Sequence, residues 1–307
     1  MKLFEKKDIY KIHNCYLPKN SPKLYWVSTK SKFMHSNWPN TIDWDFKIKK
    51  DILKESLKLS KNKCIIDAGA HIGDGIIPIA HALLFYNRSD LLVIGIEPDP
   101  IKCRFINKLC ALNNLKNVLV INNGLYDKNT ILFKRRLPIW YKIINNTGAT
   151  IYTDDDNIPL YDKIVNIFLK PIYKTKINCK TLDSLVVKTI KRSIGIIHFD
   201  LEGAESKAIK GSIKSIKKYK PYLSIEDFEN SKNNIKFLPN FYKCINRINS
   251  NDIFKAFLNV KRVKKARTKA RTIPTLSNNF GAPLEYKMLS EVDSKKICSK
   301  VKKLTKQ

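Results

Sequence analysis

The sequence predicts an α/β protein built on a mostly parallel, doubly wound sheet. Residues 64–66 form a short apolar run, which leads into a turn with two spaced glycines, Gly69 and Gly73, and then into an apolar helical pattern. A second apolar run, residues 91–96, ends in Glu97. Apolar runs that alternate with helical patterns are typical of strands buried between two layers of helices.

The same alternation continues along the chain. The helix after the second run begins at Asp99, which is followed by a proline that suits the first helical turn. A third strand, residues 118–121, ends in a turn that contains Asn123. Residues 195–200 and 222–226 then predict a fourth and a fifth strand, so that the core is expected to hold at least five strands.

We divide the chain into three parts. Residues 1–60 are an N-terminal cap, residues 61–230 are the α/β core, and residues 231–307 are a basic C-terminal extension. Two aromatic residues of the cap, Trp38 and Trp44, have two interpretations. They line a substrate cleft together with polar neighbours, or they only pack the cap against the core.

The chain has 307 residues and a formal net charge of +31. Lysine, asparagine and isoleucine are all abundant, so we attribute part of this charge to composition. A field this positive attracts polyanions such as nucleic acid, whether or not that binding was selected. The densest stretch, residues 261–271, carries seven basic residues: Lys261, Arg262, Lys264, Lys265, Arg267, Lys269 and Arg271. This basic run is either a solvated helix face or tail, or a contact for nucleic acid.

Cysteine usage predicts a cytoplasmic protein in a reducing compartment. The seven cysteines are odd in number and scattered, without a C-x-x-C pair, so neither zinc nor a disulfide framework is predicted. The charged N-terminus lacks the apolar stretch of a signal peptide, and no segment approaches the ~18 apolar residues of a transmembrane span. An acidic stretch, residues 154–156, is interpreted as a solvated loop, with a divalent-cation ligand as the alternative, and no metal site is predicted.

The turn after the first strand has the features of a cofactor site. Open α/β sheets bind cofactors at such turns, and glycines let a ligand approach the backbone closely. The pattern is not G-x-G-x-x-G, which disfavours a nicotinamide dinucleotide. Asp-x-Gly-x-x-x-Gly, with an acid at the end of the second strand, instead resembles the S-adenosylmethionine site of a Rossmann-like class I methyltransferase. The simpler alternative is a βαβ unit whose glycines only tighten a turn.

The residues that we predict to bind this cofactor are Asp67, Gly69, His71, Gly73, Glu97, Asp99 and Asn123. An acid at the tip of the second strand suits hydrogen bonds to ribose hydroxyls, which is the role expected of Glu97. The glycine turn is expected to carry the methionine part, and the turn after the third strand is expected to lie beside the adenine.

Several segments together resemble the FkbM-type methyltransferases: residues 67–74, 97–100, 181–185, 200–205, 210–211 and 224–226. The resemblance covers residues 64–228 and is most specific in Asp-Leu-Glu-Gly-Ala-Glu at 200–205. It implies a Rossmann-like core, S-adenosylmethionine as methyl donor, and O-methylation of hydroxyls on sugars, glycolipids or polyketide-like metabolites. Two positions depart from the family pattern, since His71 stands where Asn is usual and His198 where Lys is usual.

Asp200 and Glu202 are the predicted catalytic residues. Both lie at the C-terminal tip of the fourth strand, at the edge where the transferred methyl group is expected. A hydroxyl nucleophile must lose its proton, so we expect one of these acids to orient or deprotonate the acceptor. The alternative is that the acids of this segment, Glu205 included, cap the following helix at its positive end.

Three functions remain open at this point. The first is O-methylation of a small molecule or glycan. The second is methylation of RNA, for example on a cap ribose, although His198 stands where such an enzyme would want a lysine. The third is a non-catalytic nucleic-acid-binding or scaffold protein on a methyltransferase fold, against which the intact set of Asp67, Gly69, Gly73 and Glu97 argues.

Overall fold

The computed structural model describes residues 9–27, 46–135, 151–152, 174–201, 203–226 and 235–257. The predictions for Glu202, Trp38, Trp44, the acidic stretch at 154–156 and the basic run at 261–271 concern residues outside these ranges. The compact unit that holds the sheet ends at Asn259.

In chain order, the described strands are β1 (Ile9–Ile12), β2 (Leu24–Val27), β3 (Lys63–Ala68), β4 (Leu92–Ile96), β5 (Val118–Ile121), β6 (Gly124–Leu125), β7 (Thr130–Arg135), β8 (Ile151–Tyr152), β9 (Lys174–Lys180), β10 (Ser193–Phe199), β11 (Tyr222–Glu226), β12 (Tyr242–Ile248) and β13 (Asn251–Ala256). The described α-helices are α1 (Phe46–Ser56), α2 (Ile76–Phe85), α3 (Pro100–Leu112), α4 (Leu182–Leu185), α5 (Glu205–Lys210) and α6 (Ile213–Tyr219). A π-helical turn (Val186–Ile190) follows α4, and a short 3-10 helix (Ile235–Phe237) precedes β12.

Seven of the described strands form one sheet, in the order β12-β13-β11-β10-β3-β4-β5. β11, β10, β3, β4 and β5 are parallel, whereas β13 is antiparallel to both of its neighbours. The chain moves outward from β3 to β5 and then returns to the other side of β3 at β10. This order confirms the predicted doubly wound α/β fold, whose direction reverses beside β3.

The five core strands separate two apolar layers. Ile65 and Ile196 belong to the layer that includes α1, α2 and α3, whereas Ile66 and Ile197 belong to the layer that includes α4, α5 and α6. Neighbouring residues of a strand point to opposite faces, so each strand needs apolar residues at successive positions. Burial on both faces therefore explains the continuous apolar runs in the sequence.

The N-terminal strands pack on the layer that holds α3. β1 and β2 form an antiparallel pair, and Trp26 of β2 is buried in this layer. Asn113, just after α3, holds β2 by two hydrogen bonds to Tyr25. Its Oδ1 accepts from the Tyr25 amide at 2.7 Å, and its Nδ2 donates to the Tyr25 carbonyl at 2.9 Å. Residues 9–27 are therefore part of the packed body.

The segment between β5 and β10 forms a second sheet, in which the described strands have the order β6-β9-β7-β8. β6 is parallel to β9, and β7 is antiparallel to β9. The described buried side chains at its centre are Tyr126, Leu132, Ile177 and Cys179. Because β6 starts just after β5, this second sheet begins at the C-terminal edge of the main sheet.

The main sheet continues beyond residue 230, where the sequence analysis placed the end of the core. β12 and β13 form an antiparallel hairpin, and β13 pairs with β11 so that Asn251 lies opposite Glu226. Most residues of β12, the edge strand, are exposed. Edge strands carry polar residues and lack the apolar run that reveals a buried strand, which explains why this hairpin was not predicted.

Among the residues that the structure describes, no helix is long and apolar enough to cross a membrane. The described cysteines are free thiols. Burial raises the pKa of Cys64 in β3 to about 12, so this thiol stays protonated and packs as a small apolar side chain.

Candidate active site

The glycine turn after β3 adopts backbone conformations that favour glycine. The φ angle is +96° at Gly69 and +87° at Gly73, in the left-handed region. The Gly69 amide donates to the Ile96 carbonyl at 2.9 Å, which ties the turn to the tip of β4. A Cβ atom at Gly69 would lie 1.7 Å from the Asp200 carbonyl oxygen. Gly69 therefore lets the end of β10 approach the turn.

A third glycine, Gly75, completes the turn and was missed in the sequence. A Cβ atom at Gly75 would lie 2.6 Å from Asp67 Oδ2, so the absence of a side chain makes room for this carboxyl. The available signal was the residue type, because Gly75 is a further glycine just after Gly73 in the same turn. Asp67 is thus enclosed by the turn that follows it.

Glu97 joins the two turns at this edge of the sheet. Its side chain is 4% exposed. Its Oε2 accepts a hydrogen bond from the His71 amide, and its Oε1 accepts one from the Asp99 amide, each at 3.0 Å. Each carboxylate oxygen has a second lone pair, so these contacts leave capacity to accept hydrogen bonds from ribose hydroxyls.

Asp99 and Asn123 differ in whether their side-chain oxygens already accept a hydrogen bond within the protein. Asp99 is the N-cap of α3, because its Oδ1 accepts from the Ile101 amide at 2.8 Å. Asn123 follows β5, and its Oδ1 is buried with no hydrogen-bond partner within the described part of the chain. An unsatisfied buried carbonyl oxygen suits a ligand that donates a hydrogen bond, such as the amino group of adenine.

Lys49 contributes a buried ammonium group to the site from α1. It is 6% exposed, and its Nζ lies 2.7 Å from Asp74 Oδ2. Burial alone would raise the pKa of Asp74, but the Lys49 ammonium and the neighbouring His71 hold it well below its usual range. The sequence did not reveal Lys49, because a lysine in an amphipathic helix normally lies in solvent.

The pKa of Asp67 is shifted in the opposite direction to that of Asp74. Burial, and next to it the negative charge of Asp74, raise the pKa of Asp67 to about 7, although Lys49 acts against them. Glu97 adds a further negative charge from β4. The glycine turn therefore encloses a carboxyl group that titrates near neutral pH.

Asp200 lies directly after β10, and its amide donates to the Ala68 carbonyl at 2.9 Å. Its neighbour on the adjacent parallel strand is Glu226, the last residue of β11. Burial, and then Glu226, raise the pKa of Asp200 well above its usual range. The structure thus places this predicted catalytic residue beside Gly69 and adds Glu226 as its partner.

A row of polar residues crosses the same face of the sheet. His198 of β10 lies opposite Asp67 of β3 and Ser224 of β11. His198 Nδ1 and Ser224 Oγ are 3.0 Å apart, and Ser224 Oγ donates to Asn251 Oδ1 at 3.1 Å. From the sequence alone, His198 could face either the site or the core. It is buried, within this hydrogen-bonded row.

Glu205 shapes the loop between β10 and α5. Its Oε1 accepts from the Leu201 amide at 2.7 Å, and its Oε2 accepts from the Gly203 amide at 3.0 Å. Both amides precede the helix in the chain, so Glu205 caps the loop that leads into α5. Glu202 lies between these two residues in the chain and is outside the described residues.

The site is acidic although the protein is strongly basic. The carboxyl groups at this edge belong to Asp67, Asp74, Glu97, Asp200 and Glu226, and Lys49 is the ammonium group paired with one of them. Among the residues that the structure describes, no three acidic, histidine or cysteine side chains are grouped to hold a metal ion. An acidic edge suits a ligand with positive charge.

These features define a class of protein. A glycine turn lies where a doubly wound sheet reverses direction, an acid lies at the next strand tip, and acids surround a place for a cationic cofactor. S-Adenosylmethionine, a sulfonium with ribose and adenine, carries hydroxyl and amino donors that suit the acceptor oxygens of Glu97 and Asn123. The site is that of an S-adenosylmethionine-dependent methyltransferase with a class I fold.

The family follows from the sequence match. The family model for the methyltransferase FkbM domain matches residues 67–250. The chain therefore belongs to the FkbM methyltransferase family, with S-adenosylmethionine as its cofactor. The match reaches the turn between β12 and β13, beyond residue 228, where the resemblance was expected to end. No curated protein sequence matches the chain significantly.

Several solved structures are similar to this chain. The FkbM methyltransferase from Methylobacillus flagellatus KT is 16% identical with a TM-score of 0.40, over 64% of this chain and 43% of its own. CalS11, a TDP-rhamnose 3'-O-methyltransferase of calicheamicin biosynthesis, is 10% identical with a TM-score of 0.42, over 69% and 78%. An rRNA methylase from Streptococcus thermophilus is 10% identical with a TM-score of 0.36, over 70% and 97%. The alignment thus spans less than half of the Methylobacillus protein.

Proposed function

We propose that this protein transfers the methyl group of S-adenosylmethionine to a neutral hydroxyl group on a sugar, glycolipid or other metabolite. The observation that carries the proposal is the position of the Asp200 carboxyl. The Asp200 backbone packs against Gly69 of the cofactor turn, and the pKa of its carboxyl is raised. A carboxylate whose pKa is raised toward neutral is a stronger base for an acceptor hydroxyl.

The cofactor, when bound, supplies a methyl group on a positively charged sulfonium. Glu97 would hold the ribose hydroxyls, and the turn from Gly69 to Gly73 would hold the methionine part. Asn123 Oδ1 would accept a hydrogen bond from the adenine amino group. The Asp99 side chain already caps α3, so Asp99 would help to hold the cofactor only by fixing the conformation of the turn after β4.

Asp200 would hold the acceptor hydroxyl and take its proton as the new carbon–oxygen bond forms. Glu202 stays the second predicted catalytic residue, two positions further along. Glu205 supports it indirectly, because Glu205 accepts hydrogen bonds from the amides of Leu201 and Gly203 on either side. A fixed loop keeps a functional group in place and so raises the rate of the positioned reaction.

The charge of the site favours a neutral acceptor over RNA. The negative charge at this edge, to which Glu97 contributes, repels a phosphate that approaches the transferred methyl group. RNA would need basic residues outside this edge, and the basic run at 261–271 is the candidate for that contact. The RNA methyltransferase therefore remains the second candidate, supported by the net charge of the chain alone.

The test is a methyl-transfer screen with the full-length protein. S-Adenosylmethionine with a labelled methyl group is offered with separate pools of free sugars, nucleotide sugars, glycolipids and RNA. We expect label on a hydroxyl oxygen of a sugar or metabolite. Asp200→Asn should lower turnover by about 10²- to 10⁴-fold, the usual contribution of a general base, with little change in cofactor affinity.

The matched control for Asp200→Asn is Glu55→Gln. Glu55 is an acid at the other end of α1 from Lys49, and its two oxygens pair with Lys58 and Lys255. The Glu55→Gln substitution should leave turnover unchanged. Label found only on nitrogen or only in RNA, or wild-type turnover in Asp200→Asn, would contradict the proposed function.

A further inference from the structure

The hairpin of β12 and β13 brings polar residues to the edge that holds Asp200. Ser250 lies in the hairpin turn, and Asn251 begins β13 opposite Glu226 of β11. Ser250 Oγ donates a hydrogen bond to Glu226 Oε1 at 3.0 Å. Because the Glu226 side chain is only 7% exposed, this contact fixes its orientation from a neighbouring element.

Glu226 in turn lies beside the proposed base, because Asp200 and Glu226 directly follow the paired residues Phe199 and Ile225 of the parallel strands β10 and β11. Two buried carboxyl groups side by side repel each other when both are ionised, so we expect the pair to hold one proton. The other charged or titratable groups that face Asp200 are His198 on the same strand and Asp67 on β3. The Asp200–Glu226 pair therefore contains one protonated and one ionised carboxyl group, both of them buried.

A second set of hydrogen bonds from the same hairpin holds His198. Ser224 has a single hydroxyl proton and donates it to Asn251 Oδ1 at 3.1 Å. The contact of 3.0 Å between His198 Nδ1 and Ser224 Oγ then requires Nδ1 to be the donor. The hairpin thus orients both His198 and Glu226, which face Asp200 from β10 and β11.

We propose that Glu226, held by Ser250, is a positioning residue that shares one proton with Asp200 and makes Asp200 a stronger base toward the acceptor hydroxyl. This inference rests on the proposed function. It gives a role in the reaction to a hairpin whose residues carry no recognisable catalytic motif. Like-charged carboxyls in one site commonly divide such work, because they cannot both ionise.

The step balances in protons and electrons. A lone pair of the acceptor oxygen forms the bond to the methyl carbon, and the electron pair of the broken sulfur–carbon bond stays on sulfur. The hydroxyl proton passes to Asp200. The carboxyl pair starts with one proton and one negative charge and ends with two protons and no charge. The positive charge of the donor is lost in the same step, and the extra proton later leaves to water.

The shared proton is tested first without an acceptor. The carboxyl carbons of labelled Asp and Glu are followed by NMR in the full-length protein from about pH 4 to about pH 9. We expect Asp200 to titrate well above the usual carboxyl range in the wild type. In Glu226→Gln it should titrate lower by about one pH unit or more, because the like charge is gone and the new amide donates to ionised Asp200.

Two serine variants separate orientation from folding. Ser250→Ala should lower the titration of Asp200 part of the way, since Glu226 loses the contact that holds it. Ser56→Ala is the control, because the hydroxyl of buried Ser56 donates only within its own helix, to the Ile52 carbonyl at 2.6 Å. Asp200 should titrate in this control as in the wild type. An Asp200 that titrates in the usual range in the wild type would overturn the inference.

The second measurement is the pH dependence of kcat/KM on the hydroxyl acceptor found in the screen. The acid limb should move to lower pH in Glu226→Gln, by the same amount as the NMR titration, and the rate near neutral pH should fall about tenfold. S-Adenosylhomocysteine affinity should change less than about twofold, as expected for a residue that acts on the base alone.

The outcomes separate the inference from the proposed function. A wild-type enzyme that methylates no hydroxyl in the screen removes the proposed function, and the role of Glu226 in the reaction with it. Hydroxyl methylation with an acid limb that is the same in Glu226→Gln and in the wild type removes the role of Glu226 alone. A loss of rate in Ser56→Ala as large as in Ser250→Ala would also overturn the role of the hairpin.

Discussion

The Lys49 ammonium lies 2.7 Å from Asp74 Oδ2, and this ion pair joins helix α1 to the cofactor turn. Lys49 precedes the residues that match the family, which begin at Asp67. Its positive charge is buried among carboxyl groups, so removal of Lys49 would leave them without their neighbouring ammonium. The N-terminal part of the chain is therefore expected to support the cofactor turn.

Replacement of Lys49 tests this connection. Lys49→Met should lower the free energy of unfolding by about 3–5 kcal/mol, because a buried pair that loses one partner leaves an uncompensated charge. Urea unfolding measures the loss, and calorimetry with S-adenosylhomocysteine should show weaker binding. Lys47→Met, at an exposed position of the same helix, is the control and should change neither. Equal effects of the two substitutions would contradict a special role for Lys49.

Asp67 predicts how stability depends on pH. Its pKa is about 7 in the folded protein and near 3.8 in the unfolded chain, so the folded state binds more protons between these values. The free energy of unfolding of the ligand-free protein should therefore fall as pH rises from about 4 to about 7 and level off above. The Asp67 contribution is on the order of 2–4 kcal/mol.

Asp67→Asn should make this fall smaller, as measured by urea unfolding at several pH values. Glu55→Gln is the comparison, because the pKa of Glu55 is shifted in the opposite direction to that of Asp67. Burial alone raises the pKa of Glu55, but Lys58 and Lys255 lower it below its usual value. Its stabilising effect is therefore present above about pH 4.5 and is lost only below it. Between pH 4.5 and 7, the free energy of unfolding of Glu55→Gln should change with pH as steeply as that of the wild type. If Asp67→Asn also keeps the wild-type slope, Asp67 does not titrate in this range.

Glu97 and Asp99 can be distinguished by calorimetry with S-adenosylhomocysteine. Glu97→Ala should weaken binding by about 1–3 kcal/mol, the range for hydrogen bonds that involve a charged group. Asp99→Ala removes the cap of α3 and should cost about 1 kcal/mol of stability, with a smaller effect on affinity. Unchanged affinity in Glu97→Ala would remove the predicted ribose contact. A larger loss in Asp99→Ala would instead make Asp99 a direct ligand.

The basic run predicts a salt-dependent contact with polyanions. If residues 261–271 bind RNA, the affinity should fall steeply with salt, because each neutralised phosphate releases counterions. Changing Lys264, Lys265 and Arg267 to Ser should flatten that dependence and leave S-adenosylhomocysteine affinity unchanged. Titration of a single-stranded RNA at several salt concentrations measures both effects.

The control removes the same charge elsewhere in the extension. Changing Lys295, Lys296 and Lys300 to Ser deletes three positive charges outside the run. A smaller effect is expected there. Equal effects would mean that RNA responds to net charge alone, and no binding even at low salt would leave the run as a solvated tail.

The sequence by itself was sufficient for the core of the fold and for the cofactor edge. Strands buried on both faces need continuous apolar runs, so β3, β4 and β5 could be located from local pattern. The turn at Gly69 and Gly73 requires positive φ, which the residue type reveals directly. The position of Glu97 at the tip of β4 follows from where the apolar run stops.

The tertiary structure decided which charges meet at this edge. Lys49 lies in a helix that looks solvated in the sequence, and Ser250 lies in the turn of an unpredicted hairpin. Each reaches its carboxyl partner across a large separation in the chain, 25 residues for Lys49 and Asp74 and 24 for Ser250 and Glu226. Burial and proximity set the pKa of Asp67 and of Asp200, and both depend on what packs against a residue rather than on its neighbours in sequence.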